Sequence, residues 1–107
     1  MIKINVFIPK TNVEKVKSAM FSAGAGKIGN YDYCSWQVLG EGQFRPLKGS
    51  HPAIGVEGVV EAVPEYKVEM LCENSVARKV IRAMKSAHVY EEPAYEVIVL
   101  ANEDTLA

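Results

Sequence analysis

Ile2, Ile4, Val6 and Ile8 alternate with Lys3, Asn5 and Phe7 at the start of the chain. A period of two places the apolar set on one face of a strand. Thr11 followed three positions later by Glu14 has the spacing of a capping box and predicts a helix opening after Pro9. Val13, Val16, Met20 and Ala23 recur on one helical face, and Gly24 supplies the C-terminal stop. Tyr33 to Leu39 is rich in aromatic and β-branched types and reads as a second strand, which Gly40 and Gly42 turn back through Gln43 to Arg45 as a hairpin. Pro46 to Gly55 reads as an irregular loop and Val56 to Val63 as a further strand. After Pro64, the residues Tyr66, Val68, Met70 and Cys72 alternate with Lys67, Glu69 and Glu73, which predicts a half-buried strand with a charged outer row. Asn74 or Ser75 caps a second helix with Val76, Val80, Met84 and Ala87 inward, ending near His88; Tyr95, Val97 and Val99 form the last strand.

This order, with an inserted hairpin region after the second strand, is the split βαβ unit written twice. It predicts an α+β, ferredoxin-like (βαββαβ) antiparallel sheet with two helices on one face. Neither half could bury its sheet face alone, so the two share one core in a single domain, residues 1–107. The other face carries Lys3, Asn5, Phe7, Lys67, Glu69 and Leu71, a mixture that suits either another subunit or solvent.

Composition narrows the classes. The 107 residues are 49% hydrophobic and 23% charged, which is the make-up of one globule and not of a disordered tail. Twelve basic residues are balanced by 13 acidic ones and scattered among them, which argues against nucleic acid as a partner. The first apolar stretch is short, alternating and ended by Pro9, so a membrane span or signal peptide is not expected and the location expected is cytoplasmic. Cys34 and Cys72 form no CxxC pair and read as small buried hydrophobes.

Gly24 to Gly29 spells GxGxxG, but the context is reversed: a helix enters the turn and no helix N-terminus leaves it toward a pyrophosphate. A C-cap and tight turn is the plainer reading; the alternative is an anion-binding nest of the amides from Gly26 to Asn30 beside Lys27. His88, Glu91 and Glu92 lie close in sequence, with His88 at a helix C-terminus where the negative end of the dipole favours protonation. Two ligand types make an incomplete metal shell, so capping and turn formation outweigh a divalent-metal role for His88 and Glu91. Arg45 pairs with Glu61 or Glu92, or serves an anionic ligand, and Tyr31, Tyr33 and Trp36 read as core or interface packing. No nucleophile acquires a base from spacing, and no HExxH or GxSxG string occurs.

The strings GAGKIGNYDYCSW (Gly24 to Trp36), GEGQFRPL (Gly40 to Leu47), Ile54 with Gly55, and HVYEEPAYE (His88 to Glu96) resemble the CutA/PII-like domain inserted in Nif-three-like (NGG-one-interacting-factor-like) dimetal proteins and also found free-standing. The last string is similar to the HPYExP segment of CutA proteins, with Val89 in place of its proline; Asn12 stands where relatives often have histidine. The resemblance implies a ferredoxin-like fold and a homo-oligomer, a trimer before a dimer, with only the insert of the larger dimetal proteins present. It further implies a non-catalytic ligand-binding or regulatory module, with a ligand or partner site around Gly26, Asn30, Tyr31, Cys34, Arg45 and His88 and a Nif-three-like protein as the partner beside which it would work. The rival reading is a CutA-like divalent-metal, copper-type protein using His88, Glu91 and Cys34, with that metal as its cofactor. A phosphatase of the acylphosphatase type lacks its loop arginine between Pro9 and Asn12, and Phe7 alone is too little for an RNA-binding sheet.

Overall fold

A computed structural model describes residues 1–107. Strands β1 (Ile2–Pro9), β2 (Trp36–Phe44), β3 (Glu61–Cys72) and β4 (Tyr95–Val99) alternate with helices α1 (Val13–Ala23) and α2 (Ala77–Ala87). The sheet runs in the order β2-β3-β1-β4, and every neighbouring pair is antiparallel. This is the ferredoxin-like arrangement that the hydrophobic pattern predicts.

The core follows the periodicities. Ile4, Val6 and Ile8 of β1 and Val68 and Met70 of β3 are fully covered by Val16 and Met20 of α1 and by Val80 and Met84 of α2. Both helices therefore lie on one sheet face. β1 sits between β3 and β4, pairing Ile4 with both Met70 and Val97, so its alternation sets the facing of both neighbours. Truncating a covered side chain such as Met84 to Ala would cost about 2–5 kcal/mol.

Helix ends differ in part from the capping expected. Gly24 closes α1 with φ of 118° and its N–H donates to the Met20 and Phe21 carbonyls, which is the predicted glycine stop. At the other end no capping box forms: a short 3-10 turn, Lys10–Asn12, precedes α1, and neither Thr11 nor Asn12 caps it with a side chain. Asn12 instead reaches across to the end of α2, where its Oδ1 accepts from the Val89 N–H at 2.8 Å and its Nδ2 donates to the Ala87 carbonyl at 3.4 Å. A second 3-10 turn, Asn74–Val76, opens α2, again without the predicted Asn or Ser cap.

The hairpin is where expectation and structure part. Gly40 and Gly42 do not turn the chain; both lie inside β2, opposite Glu65 and Val63. The strand passes through because Gly42 gives up its side-chain volume to the Glu65 carboxylate, which occupies the place a Cβ would take. Val56 to Val60 are not strand, and Pro64 does not end one: β3 runs through it from Glu61 to Cys72. Pro64 is tolerated because β1 ends at the Pro9–Glu65 pair, leaving β3 with β2 as its only neighbour at that point. Residues 45–60 form the irregular connection.

The glycine string after α1 has a steric cause. Gly26 has φ of +76°, its N–H donates to the Leu71 carbonyl at 2.9 Å, and its carbonyl accepts from the Cys34 N–H at 2.9 Å. A Cβ there would come within 2.7 Å of the Phe21 ring and 2.8 Å of the Cys34 carbonyl oxygen. Gly26→Ala is therefore expected to lower stability by about 2 kcal/mol or more, from overpacking and from the left-handed backbone together. Gly40→Ala, where a Cβ meets open space, is expected to stay within about 0.5 kcal/mol of the parent. Urea midpoints of the two variants check this contrast.

Candidate functional site

The six residues implied as one ligand site divide between the two ends of the sheet. Gly26, Asn30, Tyr31 and Cys34 lie in the turn that follows α1 and docks on Leu71 near the C-terminal end of β3. Arg45 lies beyond the end of β2, and His88 binds the carbonyl of Phe7 toward the opposite end of the sheet. Within one chain the two groups do not converge. The nest of amides does not assemble either, because the Gly26 N–H is held by Leu71 and the Ile28 N–H by the Tyr31 carbonyl. Tyr31, Tyr33 and Trp36 are exposed and not core, although Tyr33 packs edge-on against Phe21 at 4.9 Å. Cys72 is buried, and that burial raises its thiol pKa; Cys34 is half-exposed, and both are free thiols.

His88 is a buried anchor. Its backbone N–H closes α2 on the Met84 carbonyl, its Nδ1 accepts from the Tyr90 N–H at 3.0 Å, and its Nε2 lies 2.8 Å from the Phe7 carbonyl oxygen. Acceptance at Nδ1 places the proton on Nε2, so the ring is a neutral donor to Phe7 with both nitrogens engaged. Burial lowers its pKa below the ordinary histidine value, against the upward pull of the Phe7 carbonyl and the Glu65 charge. The expected protonation at the helix end is thus reversed, since desolvation outweighs the dipole. Glu91, the other residue of the metal reading, accepts from the His51 N–H at 2.9 Å, and no three His, Cys, Asp or Glu side chains gather as a metal-binding group.

Beside His88 the chain builds a cavity of about 370 Å³, with Phe7, Phe44, Pro46, Ile54 and Ala94 among its apolar walls. Its roof is the connection between β2 and β3, closed on itself by the Gly58 N–H to the Pro46 carbonyl at 2.8 Å and tied down by the His51–Glu91 bond. The Tyr90 hydroxyl donates to Glu65 Oε2 at 2.7 Å, and its ring meets Phe44 edge-on at 5.4 Å. Burial and the neighbouring Glu65 carboxylate push the phenol pKa well above its usual value, so Tyr90 stays a donor. Glu65 is only 9% exposed and has no cation beside it: the ion pairs are Lys3–Glu69 and Lys17–Glu14. Arg45 lines the cavity and pairs with neither Glu61 nor Glu92.

Sequence reading singled out Arg45, His88 and Glu91 but passed over Glu65 and Tyr90. Glu65 looks like one more outer-row charge of an alternating strand. The signal available was Gly42, a glycine in a strand, which marks close approach by another group.

The His88 geometry carries a pH dependence. A folded-state pKa below the unfolded one means that the fold favours neutral imidazole; the stabilisation is whole above the unfolded value of about 6.5 and is lost as pH falls through the folded value. The urea midpoint should fall between about pH 7 and about pH 5, and the fall should be shallower in His88→Gln. Tyr90→Phe, which strips the donor from a buried carboxylate, is expected to cost about 1–3 kcal/mol in the same measurement.

No family model matches the chain. It is 45% identical over 103 residues to a "GTP cyclohydrolase 1 type 2 homolog" of Halalkalibacterium halodurans, an alignment covering 96% of this chain and 28% of the relative. A protein of the same name from Mycobacterium tuberculosis is 46% identical over 95 residues, 89% of this chain and 25% of the relative. The chain thus spans about a quarter of the length of the curated relatives it matches. Among solved structures, a Bacillus cereus protein related to NIF3 aligns with a TM-score of 0.81 and 44% identity over 94% of this chain and 26% of that one. The periplasmic divalent cation tolerance protein CutA from Archaeoglobus fulgidus aligns with a TM-score of 0.67 over 95% of this chain and 86% of that one, and at 17% identity it shows the fold alone. The chain is a domain of CutA-like, ferredoxin-like fold, related in sequence to one segment of the NIF3-related proteins.

Proposed function

We propose that this chain is a small, self-associating, non-catalytic module that binds a small ligand in the cavity between the β2–β3 connection and the Tyr90 segment. The observation that carries the reading is the cavity itself: about 370 Å³, with apolar walls and a few fixed polar groups, which is the usual make-up of a small-molecule site. Of the site residues implied by resemblance, Arg45 lines it, and His88 supports it by fixing the Tyr90 backbone. The non-catalytic reading is supported by His88, whose ring nitrogens are both committed to backbone and so do not shuttle a proton. The cyclohydrolase name belongs to relatives of which the matched segment makes up only 25–28%. A NIF3-related protein as working partner is supported by the sequence match to a segment of such proteins.

Self-association rests on a separate observation. Outside the part roofed by the β2–β3 connection, the sheet face away from the helices is open, and cross-strand register brings Trp36, Val38, Leu71 and Ile98 onto it with Lys3 and Glu69. Trp36 is 59% exposed and Val38 45% exposed, a cost that burial against a second copy would remove. No helix is long and apolar enough to cross a membrane.

Two measurements test the two parts. In amide NMR titrations with pooled small metabolites, ligand binding should move resonances between Gln43 and Ile54 and between Tyr90 and Ala94; a complete absence of movement there sinks the binding role. Light scattering on the eluting protein should give a multiple of 11.8 kDa, reduced to one copy in Trp36→Glu. A parent that elutes as a single copy at micromolar concentration removes self-association.

A further inference from the structure

We infer that the cavity takes a small organic cation, an ammonium or amidinium group carried on an apolar or aromatic body. The inference deepens the binding role proposed above and rests on it. Glu65 is the buried charge at the cavity wall, nine-tenths or more covered, and its Oε2 is spoken for by the Tyr90 hydroxyl at 2.7 Å. Its Oε1 has no donor in the protein, although the carboxylate lies over Gly42 within the lining. No protein cation neutralises this carboxylate and its Oε1 is not sealed from solvent, so a ligand N–H group at Oε1 supplies an opposite charge and takes the hydrogen bond that water would otherwise make. Phe7, Phe44 and Tyr90 add aromatic surface on which a cation-bearing body packs.

The rest of the lining favours the same sign. Glu91 and Glu92 line the cavity with Glu65, and Arg45 is its one basic residue, so the lining carries a net negative charge. An anionic ligand would meet that excess of negative charge. Nor does the protein itself neutralise the site, because its ion pairs, Lys3–Glu69 and Lys17–Glu14, involve none of these residues. The carboxylate is also held in place and not free to swing to solvent: Gly42 leaves it room, and Tyr90, fixed at its amide by His88, holds it from the other side.

The test uses the whole 107-residue chain and three probes of one shape, phenethylammonium, phenylethanol and phenylacetate, each titrated by amide NMR. Phenethylammonium should move resonances of the Gln43–Ile54 and Tyr90–Ala94 segments, and Glu65→Gln should weaken it about tenfold or more. Glu65→Gln keeps an acceptor for Tyr90, and an unchanged urea midpoint would certify its fold; Glu92→Gln, at the same cavity, is the second variant and should weaken binding less. If phenylethanol or phenylacetate binds at those segments as well as the amine does, or if Glu65→Gln leaves amine binding intact, the cation inference is overturned while the cavity stands as a ligand site. If none of the three probes, nor any pooled metabolite, moves those segments, the binding role itself falls and takes the inference with it.

Discussion

The apolar row of β1 is the constraint on which the rest depends. Ile4, Val6 and Ile8 are fully buried, and they are covered from one side only, by the inner faces of both helices. Because β1 is interior to the sheet, its alternation dictates facing on β3 and β4 as well, and a shift by one residue would turn Lys3, Asn5 and Phe7 into the core. The same row sends Phe7 to the sheet face opposite the helices, where it becomes part of the cavity wall. Core and cavity are two sides of one strand.

His88 joins them across the sheet end. The ring donates to the carbonyl of Phe7 and accepts from the amide of Tyr90, while the residue's own amide terminates α2. The position of the buried helix thereby sets the Tyr90 backbone, and the Tyr90 hydroxyl sets the Glu65 carboxylate. A second tie runs through Asn12 and Val89, the two positions at which the chain departs from the pattern it resembles. These departures meet: Asn12 accepts from the Val89 N–H, a donor that a proline at that position would lack. The segment after α2 is therefore fastened at two successive residues before it reaches the cavity.

Periodicity made most of the fold legible. The alternation in β1 and in β3 from Tyr66 to Cys72, and the helical spacing of Val16, Met20, Val80 and Met84, match the elements and buried faces observed, whereas β4 forms as a strand but leaves Val97 and Val99 exposed. What misled was punctuation. Gly40 and Gly42 read as a turn because glycine weakens a strand locally, but here one of them makes room for a side chain sixty-five positions into the chain, a tertiary fact that no local rule carries. Pro64 read as a strand boundary although it falls where the neighbour on one side has already ended. The glycine string and the His88 segment were legible as special, yet their roles are structural at Gly26 and anchoring at His88. Spacing along the chain could not show that they stand at opposite ends of the sheet.

The length of β3 explains why a cavity exists at all. Residues Glu65 to Cys72 pair with β1, but Glu61 to Pro64 continue past it with β2 alone, so the hairpin projects beyond the two-layer core. A two-stranded ribbon in water has little to bury and gains by drawing its own connection back over one face. Val63 is buried, and Gly55 lies close to Phe44, Pro46 and Glu61, so the connection meets that need. Apolar burial accounts for Val63, Phe44 and Pro46. It does not account for Glu65, a carboxylate that the fold holds in place from two sides. The fold fixes this charge without giving it a cation of its own, and it is on that arrangement that the proposed ligand reading of the cavity rests.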